Sequence, residues 1–347
     1  MKALLVKTSS LGDVVHALPA VTDAVRAVPG LRFDWVVEDA FVDIPALHPG
    51  VARVIPIALR RWRGHWVAAL RDGEVDAFVR DLRRERYDVV IDAQGLVKSA
   101  LPALAARGPA AGLGLRSARE PLASLLYRRR YAVPRVLHAI ERIRRLLALA
   151  LHYELPEGEP DYGFQPIQLS LTARPYVVLL HGTTWASKHY PEAQWIELAT
   201  LVGEAGYEVR YPWATLEERQ RAERIAAESN CGRLLPRLSL RQLAEKIAGA
   251  AGVVGVDTGL SHLAAALGVP AVTLYGPTQA GLTGTVGPHQ RNLEAEFPCA
   301  PCMRRECRYR GESDVHPACF ATLPAQVVWR SLTAQMQRRR GASARDV

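Results

Sequence analysis

The stretch Asp257-Thr258-Gly259-Leu260-Ser261-His262 concentrates groups that could do chemistry. It follows the apolar run 253–256 and opens a helix-forming run at 263–267. A strand, a Thr-Gly turn and a helix start, in that order, aim backbone N–H groups at one point and favour an anion there. Asp257 supplies a carboxylate beside that point and His262 an imidazole. The next apolar run, Ala271–Tyr275, ends in Gly276-Pro277-Thr278, a second loop at the same sheet edge. Ligands of open parallel sheets bind beyond the carboxyl ends of the strands. Taken alone, the residues also fit a plain β-α-β unit with a glycine turn.

Two further loops carry polar groups of the same kind. His181-Gly182-Thr183-Thr184-Trp185-Ala186-Ser187-Lys188-His189 offers paired hydroxyls, a glycine and an isolated lysine before a helix, which suits phosphate oxygens. With residues 257–262 it would hold a diphosphate, leaving Asp257 or Glu218 for sugar hydroxyls. The other loop, Lys7-Thr8-Ser9-Ser10-Leu11-Gly12-Asp13, lacks both the P-loop spacing and Gly-x-Gly-x-x-Gly, which disfavours a nicotinamide site. Asp13 reads either as a helix cap or as a general base. With an ordinary carboxyl pKa near ~3.9 it is ionised and weakly basic unless burial raises it.

Composition narrows the setting. The 347 residues suit two domains, and 49% hydrophobic with 23% charged content reads as soluble and globular. No apolar run approaches the ~18 residues of a membrane span, and the short run at 3–6 is no signal peptide, so a cytoplasmic protein is expected. Arginine supplies 39 of the 44 basic residues behind the net charge of +9. Arg60-Arg61-Trp62-Arg63 and Arg128-Arg129-Arg130 are either ligand contacts or solvated runs; such faces suit carboxylates, phosphates or an anionic membrane. Nucleic acid is disfavoured, because no binding motif accompanies the charge. Lysine occurs only five times, and Lys7, Lys98 and Lys188 sit in turn-rich segments where a compact ammonium would be retained for use.

Alternating strands and helices must position these loops. Strand-like runs fall at 3–6, 33–37, Val89–Asp92, Tyr176–Leu180, Glu208–Tyr211, 233–235, 253–256 and Ala271–Tyr275. Helical patterns fall at 13–27, 72–86, 96–106, 136–151, 191–205, Leu216–Ser229, 240–250 and 325–339. The Pro- and Gly-rich region near 154–174 reads as a linker. The pattern predicts two Rossmann-like, doubly wound parallel sheets facing one another across a cleft. The expected division is 1–160, linker 161–174, then 175–324, with 325–347 a C-terminal helix expected to pack back on the first domain and a disordered tail from Gly341.

Several ordered motifs together resemble the ADP-heptose:lipopolysaccharide heptosyltransferases. They are Lys7-Thr8-Ser9-Ser10-Leu11-Gly12-Asp13-Val14, Asp92-Ala93-Gln94-Gly95-Leu96-Val97-Lys98-Ser99, Arg119-Glu120-Pro121-Leu122-Ala123-Ser124, Thr183-Thr184 with Lys188, and Asp257 through Leu263. The likeness spans roughly residues 1–330 and is closest to the heptosyltransferase I branch, given Arg60-Arg61-Trp62-Arg63 and Phe33-Asp34-Trp35-Val36-Val37-Glu38. The resemblance implies a GT-B fold and an inverting transfer of heptose from ADP-heptose to the Kdo of Kdo–lipid A, at the cytoplasmic face of the inner membrane. Asp13 matches the catalytic base. Thr183, Thr184, Lys188, Glu218, Asp257, Thr258, Gly259 and His262 match donor positions, and Arg60, Arg61, Arg63, Lys98 and Arg119 fall where basic residues face the acidic acceptor. Gly64 replaces a further basic residue and Leu238 a donor-pocket methionine of some relatives. The alternatives are heptosyltransferase II or a sister enzyme with another acceptor, and a non-catalytic nucleotide-sugar-binding protein.

Cys299, Cys302, Cys307 and Cys319 cluster among arginines, while Cys231 lies apart. A C-x-x-C pair with two further cysteines could supply a structural Cys₄ zinc site; free thiols or a redox-sensitive loop are the other readings. Catalysis itself is expected to need no cofactor.

Overall fold

Parallel strands buried on both faces read as continuous apolar runs, and the central strands here do so. The computed structural model describes residues 1–165 and 174–343, apart from the side chains of 342 and 343. It divides into units Met1–Gln165 and Pro166–Val347. That boundary falls inside the expected linker, whose residues 166–173 lie outside the described ones.

The first unit holds β1 (Lys2–Val6), β2 (Arg32–Glu38), β3 (Val51–Ile57), β4 (Val89–Asp92), β5 (Ala110–Leu113) and β6 (Arg129–Tyr131) in the order β3-β2-β1-β4-β5-β6. The second holds β7 (Tyr176–Leu180), β8 (Glu208–Tyr211), β9 (Arg233–Leu234), β10 (Gly252–Val256), β11 (Ala271–Tyr275) and β12 (Gln290–Glu294) in the order β12-β11-β10-β7-β8-β9. Every pairing is parallel. The order in which strands are added therefore reverses at the centre of each sheet, between β1 and β4 in one unit and between β7 and β10 in the other. The doubly wound reading holds for both units.

The four strands absent from the sequence reading are β3, β5, β6 and β12. Three of them are sheet edges, where burial is one-sided and β-branched runs are not required. Pro56 in β3 and Arg129-Arg130 in β6 are residues an edge tolerates and an interior strand does not. β5, Ala110-Ala111-Gly112-Leu113, is small because Tyr127 lies on it: a Cβ on Gly112 would meet the Tyr127 ring at 2.5 Å. Gly112→Ala is expected to cost about 1–3 kcal/mol through overpacking, measured by denaturant unfolding.

Helix 13–27 is in fact two, Leu11–Val15 and Leu18–Ala27, with Pro19 starting the second. Residues 154–165 are held on the first unit rather than hanging free. The guanidinium of Arg144 pairs with Asp23 at 2.6 Å and donates to the carbonyls of Pro156 and Gly158. The C-terminal helix, Ala325–Ser343, places Val328, Leu332 and Met336 in the apolar core of the second unit, against the face of β10 to β12. This face is buried within its own unit. The helix runs through the first three residues of the expected tail, and residues 344–347 lie outside the described ones. Among the described residues, no helix is long and apolar enough to cross a membrane.

Candidate functional site

In each unit the loops singled out from sequence leave the two strands that flank the reversal of strand order, where a crevice forms beyond the strand ends. In the first unit these are residues 7–10 after β1 and 93–96 after β4. Gln94 ties them together: its Oε1 accepts from the Thr8 N–H at 2.8 Å, the Thr8 hydroxyl at 2.8 Å and the Ser9 N–H at 3.3 Å. Asp92, fully buried, accepts from the Gln94 and Gly95 N–H groups and from the Ser99 and Tyr127 hydroxyls. Burial raises the Asp92 pKa while those four donors oppose it. The motif beginning at Asp92 thus shapes a turn rather than presenting a carboxylate.

Asp13 sits in the first turn of helix Leu11–Val15. Its Oδ2 accepts from the Ser10 N–H at 2.9 Å and the Ser10 hydroxyl at 3.1 Å, so the capping role is real. Its Oδ1 meets Lys7 Nζ at 3.2 Å, and that ammonium also donates to the Ala93 carbonyl at 3.2 Å. The Asp13 side chain remains 38% exposed. Burial pushes its pKa up, but the Lys7 charge and the Ser10 N–H outweigh burial and hold it at about 2, against 3.8 ordinarily. The folded value is depressed, so the stability this group contributes is present above pH 3.8 and lost as pH falls toward 2.

Lys98 reaches the same loop, with Nζ 3.4 Å from the Ser9 hydroxyl. The Arg119 backbone packs against the turn at Gly95, where an added Cβ would lie 3.4 Å from its nitrogen. The next residue, Glu120, accepts from the Val97 N–H and fixes that segment to the start of helix Val97–Ala105. Arg60 donates its N–H to Glu38 at the end of β2 and stacks on Phe41, leaving its guanidinium exposed. Arg63 is exposed. Arg61 is exposed as well, and its guanidinium pairs at the surface with Glu74, 2.5 Å away, which also accepts from the Trp62 indole.

In the second unit, Asp257 follows β10 and is 8% exposed. Its Oδ2 takes the Lys188 ammonium at 2.7 Å and the Thr278 hydroxyl at 2.7 Å, and His262 Nε2 lies 3.7 Å from Oδ1. Burial opposes ionisation, yet His262 and Lys188 together hold the carboxyl well below the ordinary range. Thr278 comes from the loop after β11, so all three expected loops of this unit converge here. Thr258 holds the N-cap position of helix Gly259–Ala266 without a side-chain capping bond, which leaves the helix's first N–H groups for another acceptor. Among the described residues, the hydroxyls of Thr183 and Thr184 have no intramolecular hydrogen bond, as suits groups kept for a ligand.

Glu218 does reach this site, but one oxygen is committed. Oε2 accepts from the Ala214 and Thr215 N–H groups in a capping box, while Oε1 lies against Gly182 so closely that a Cβ there would come within 2.4 Å. His181 is buried and neutral: burial and Arg221 lower its pKa to about 4, and Nε2–H donates to the Pro212 carbonyl.

The cysteine segment braces this site through its backbone, which sequence reasoning missed. Ser187 bonds the carbonyls of Arg304 and Arg305, Met303 N–H donates to Pro277, and Trp185 stacks with both Lys188 and Arg305. Cys299, Cys302, Cys307 and Cys319 all line one cavity of about 520 Å³. Among the described residues, however, no three His, Cys, Asp or Glu side chains are gathered to hold a metal ion, and all five cysteines are unbridged.

This geometry can be set beside known proteins. The family model described as glycosyltransferase family 9 (heptosyltransferase) matches residues 75–312. Lipopolysaccharide heptosyltransferase 1 of Pseudomonas aeruginosa is 52% identical, over 97% of this chain and 98% of that protein. The solved structure of Escherichia coli heptosyltransferase WaaC with ADP is similar at a TM-score of 0.85 and 42% identity, covering 96% of this chain and 100% of that one. WaaC with ADP-2-deoxy-2-fluoro heptose gives 0.82 and 41%, covering 96% and 99%. With the family model matching most of its length and half its residues shared with a heptosyltransferase across nearly all of it, the chain belongs to glycosyltransferase family 9, the heptosyltransferases.

Proposed function

We propose that this enzyme transfers L-glycero-D-manno-heptose from ADP-heptose to the Kdo of Kdo–lipid A, with inversion, in building the lipopolysaccharide inner core. The observation that carries the donor half is the Lys188–Asp257–Thr278 cluster beside the free hydroxyls of Thr183 and Thr184 and the start of helix Gly259–Ala266. There Lys188 and the helix N–H groups meet the charge that grows on departing ADP. Asp257 holds Lys188 in place; Glu218, through its uncapped oxygen, and His262 take sugar or ribose hydroxyls. The acceptor oxygen attacks the anomeric carbon, the bond to the ADP oxygen breaks, and Asp13 receives the hydroxyl proton. Arg60, Arg63, Lys98 and Arg119 face the acidic acceptor. Arg61 joins them only by leaving Glu74.

The direct experiment incubates the purified chain with ADP-heptose and Kdo–lipid A and reads product by mass spectrometry. Product with Kdo–lipid A, and none with an acceptor already carrying one heptose, is expected. The reverse preference would assign a heptosyltransferase II activity. Donor binding without transfer to either would assign a binding protein.

Lys7 sets the basicity of Asp13. Lys7→Met is expected to move the acid limb of kcat/KM upward, as the carboxyl returns from about 2 toward 3.8. An unmoved limb would remove Lys7 from that role.

The reaction itself uses no metal in this reading. A structural zinc at the four cavity thiols requires their side chains to turn inward together. Metal analysis of protein purified without chelator decides it: one zinc per chain supports the site, and none leaves the segment as free thiols. A cytoplasmic location with peripheral contact to the inner membrane completes the proposal, since the acceptor is a lipid.

A further inference from the structure

The helices Val97–Ala105 and Pro121–Leu126 of the first unit pack against each other through a small buried cluster, Ala100, Ala110, Ala123 and Tyr127. Each then presents two leucines to solvent at a spacing of three residues. Leu101 is 55% exposed, Leu104 56%, Leu122 68% and Leu125 55%. Scattered exposed leucines need no explanation, but paired ones on neighbouring short helices form a patch of the kind that meets a partner. Spacing of three places such residues on one face of either helix type.

Charge identifies the partner. Residues 96–105 and 121–136 contain no aspartate or glutamate, and they carry Lys98, Arg128, Arg129, Arg130 and Arg135. The Arg130 guanidinium lies against the carbonyls of Leu125 and Tyr127, which fixes a cation beside the apolar pair. A two-fold contact between copies would bring these cations against their own duplicates, which opposes self-association. An anionic bilayer meets both features at once: headgroup phosphates pair with the arginines, and the leucines enter the boundary between headgroups and acyl chains. We propose that this leucine and arginine face is where the enzyme docks on an anionic bilayer. The inference rests on the lipid-linked acceptor of the reading above and locates the surface that meets its membrane.

The test is co-sedimentation of the full chain with vesicles of phosphatidylglycerol and phosphatidylethanolamine, without acceptor, compared with phosphatidylcholine alone. Wild type is expected to bind the anionic vesicles and to be partly released by salt. L101D/L122D is expected to lose roughly tenfold or more of that binding, given the apolar area withheld. Its melting temperature and ADP affinity should stay unchanged, and L101Q/L122Q should show a smaller loss. A double variant that sediments like wild type overturns the proposal. So does a wild type that ignores anionic vesicles, or a wild-type dimer that the variant splits without altering vesicle binding. Transfer to a deacylated, water-soluble acceptor is assayed in parallel. Its absence in wild type would refute the functional reading, while the vesicle result would still judge the surface.

Discussion

Asp13→Ala is expected to lower kcat by about 100-fold or more, in the usual range for a general base, while leaving the KM for ADP-heptose nearly unchanged. The alanine also removes the acceptor of the Ser10 N–H and hydroxyl, so some loss of stability accompanies it, on the order of 1 kcal/mol. Asp13→Asn separates the two roles. Its amide oxygen can still accept from Ser10, but it cannot take a proton at working pH. A large loss of kcat in both variants assigns the base. Activity retained in Asp13→Asn would reduce Asp13 to a cap, the reading its hydrogen bonds would support by themselves.

The second large effect is expected at Lys188. Lys188→Ala removes the cation nearest to where diphosphate charge develops, and a loss of ~10²–10³-fold in kcat is the scale for one such stabilising group. It also strands the Asp257 carboxylate in a buried setting. Breaking a buried pair costs about 3–5 kcal/mol, and the remaining Thr278 and His262 contacts place this case toward the lower end. The pH dependence distinguishes the two effects. The Asp257 pKa is depressed in the folded protein, so the pair's stability is present at neutral pH and is lost as pH falls below 3.8. The melting deficit of Lys188→Ala should therefore be largest near neutrality and shrink in acid. Lys188→Arg is not expected to rescue turnover, because a planar fork cannot replace a compact ammonium set 2.7 Å from Asp257 and 4.5 Å from the Trp185 ring centre. Wild-type kcat in Lys188→Ala, with only the melting deficit, would make the lysine structural.

How much of this was legible in sequence depended on burial. Strands such as Val89–Asp92 and Tyr176–Leu180, covered on both faces, were read to the residue, because burial makes them almost continuously apolar; the one carboxylate, Asp92, sits at the strand end where four donors satisfy it. β3, β6 and β12 escaped because an edge strand accepts proline, arginine and glutamine. The anion-favouring turn at Asp257 was legible because strand, turn and helix start follow one another locally at residues 252–266. Contacts between distant segments were not. Gln94 stood out only as one member of the motif 92–99, with no sign of its partner, yet it clamps the first loop across 85 positions. Glu74 pairs with Arg61 from another helix, and a run of arginines cannot disclose which one has a partner. The cysteines drew attention for metal-binding spacing, whereas the backbone of their loop does the bracing.

The scarcity of lysine has a practical consequence. The five lysine amines divide by place: Lys7 and Lys98 meet at the first loop, Lys188 lies in the cluster around Asp257, and Lys2 and Lys246 stand outside both. Amine acylation followed by peptide mass spectrometry would thus read the occupancy of each unit separately. Protection of Lys188 would report nucleotide, protection of Lys98 would report acceptor, and Lys2 and Lys246 would serve as internal references in the same digest.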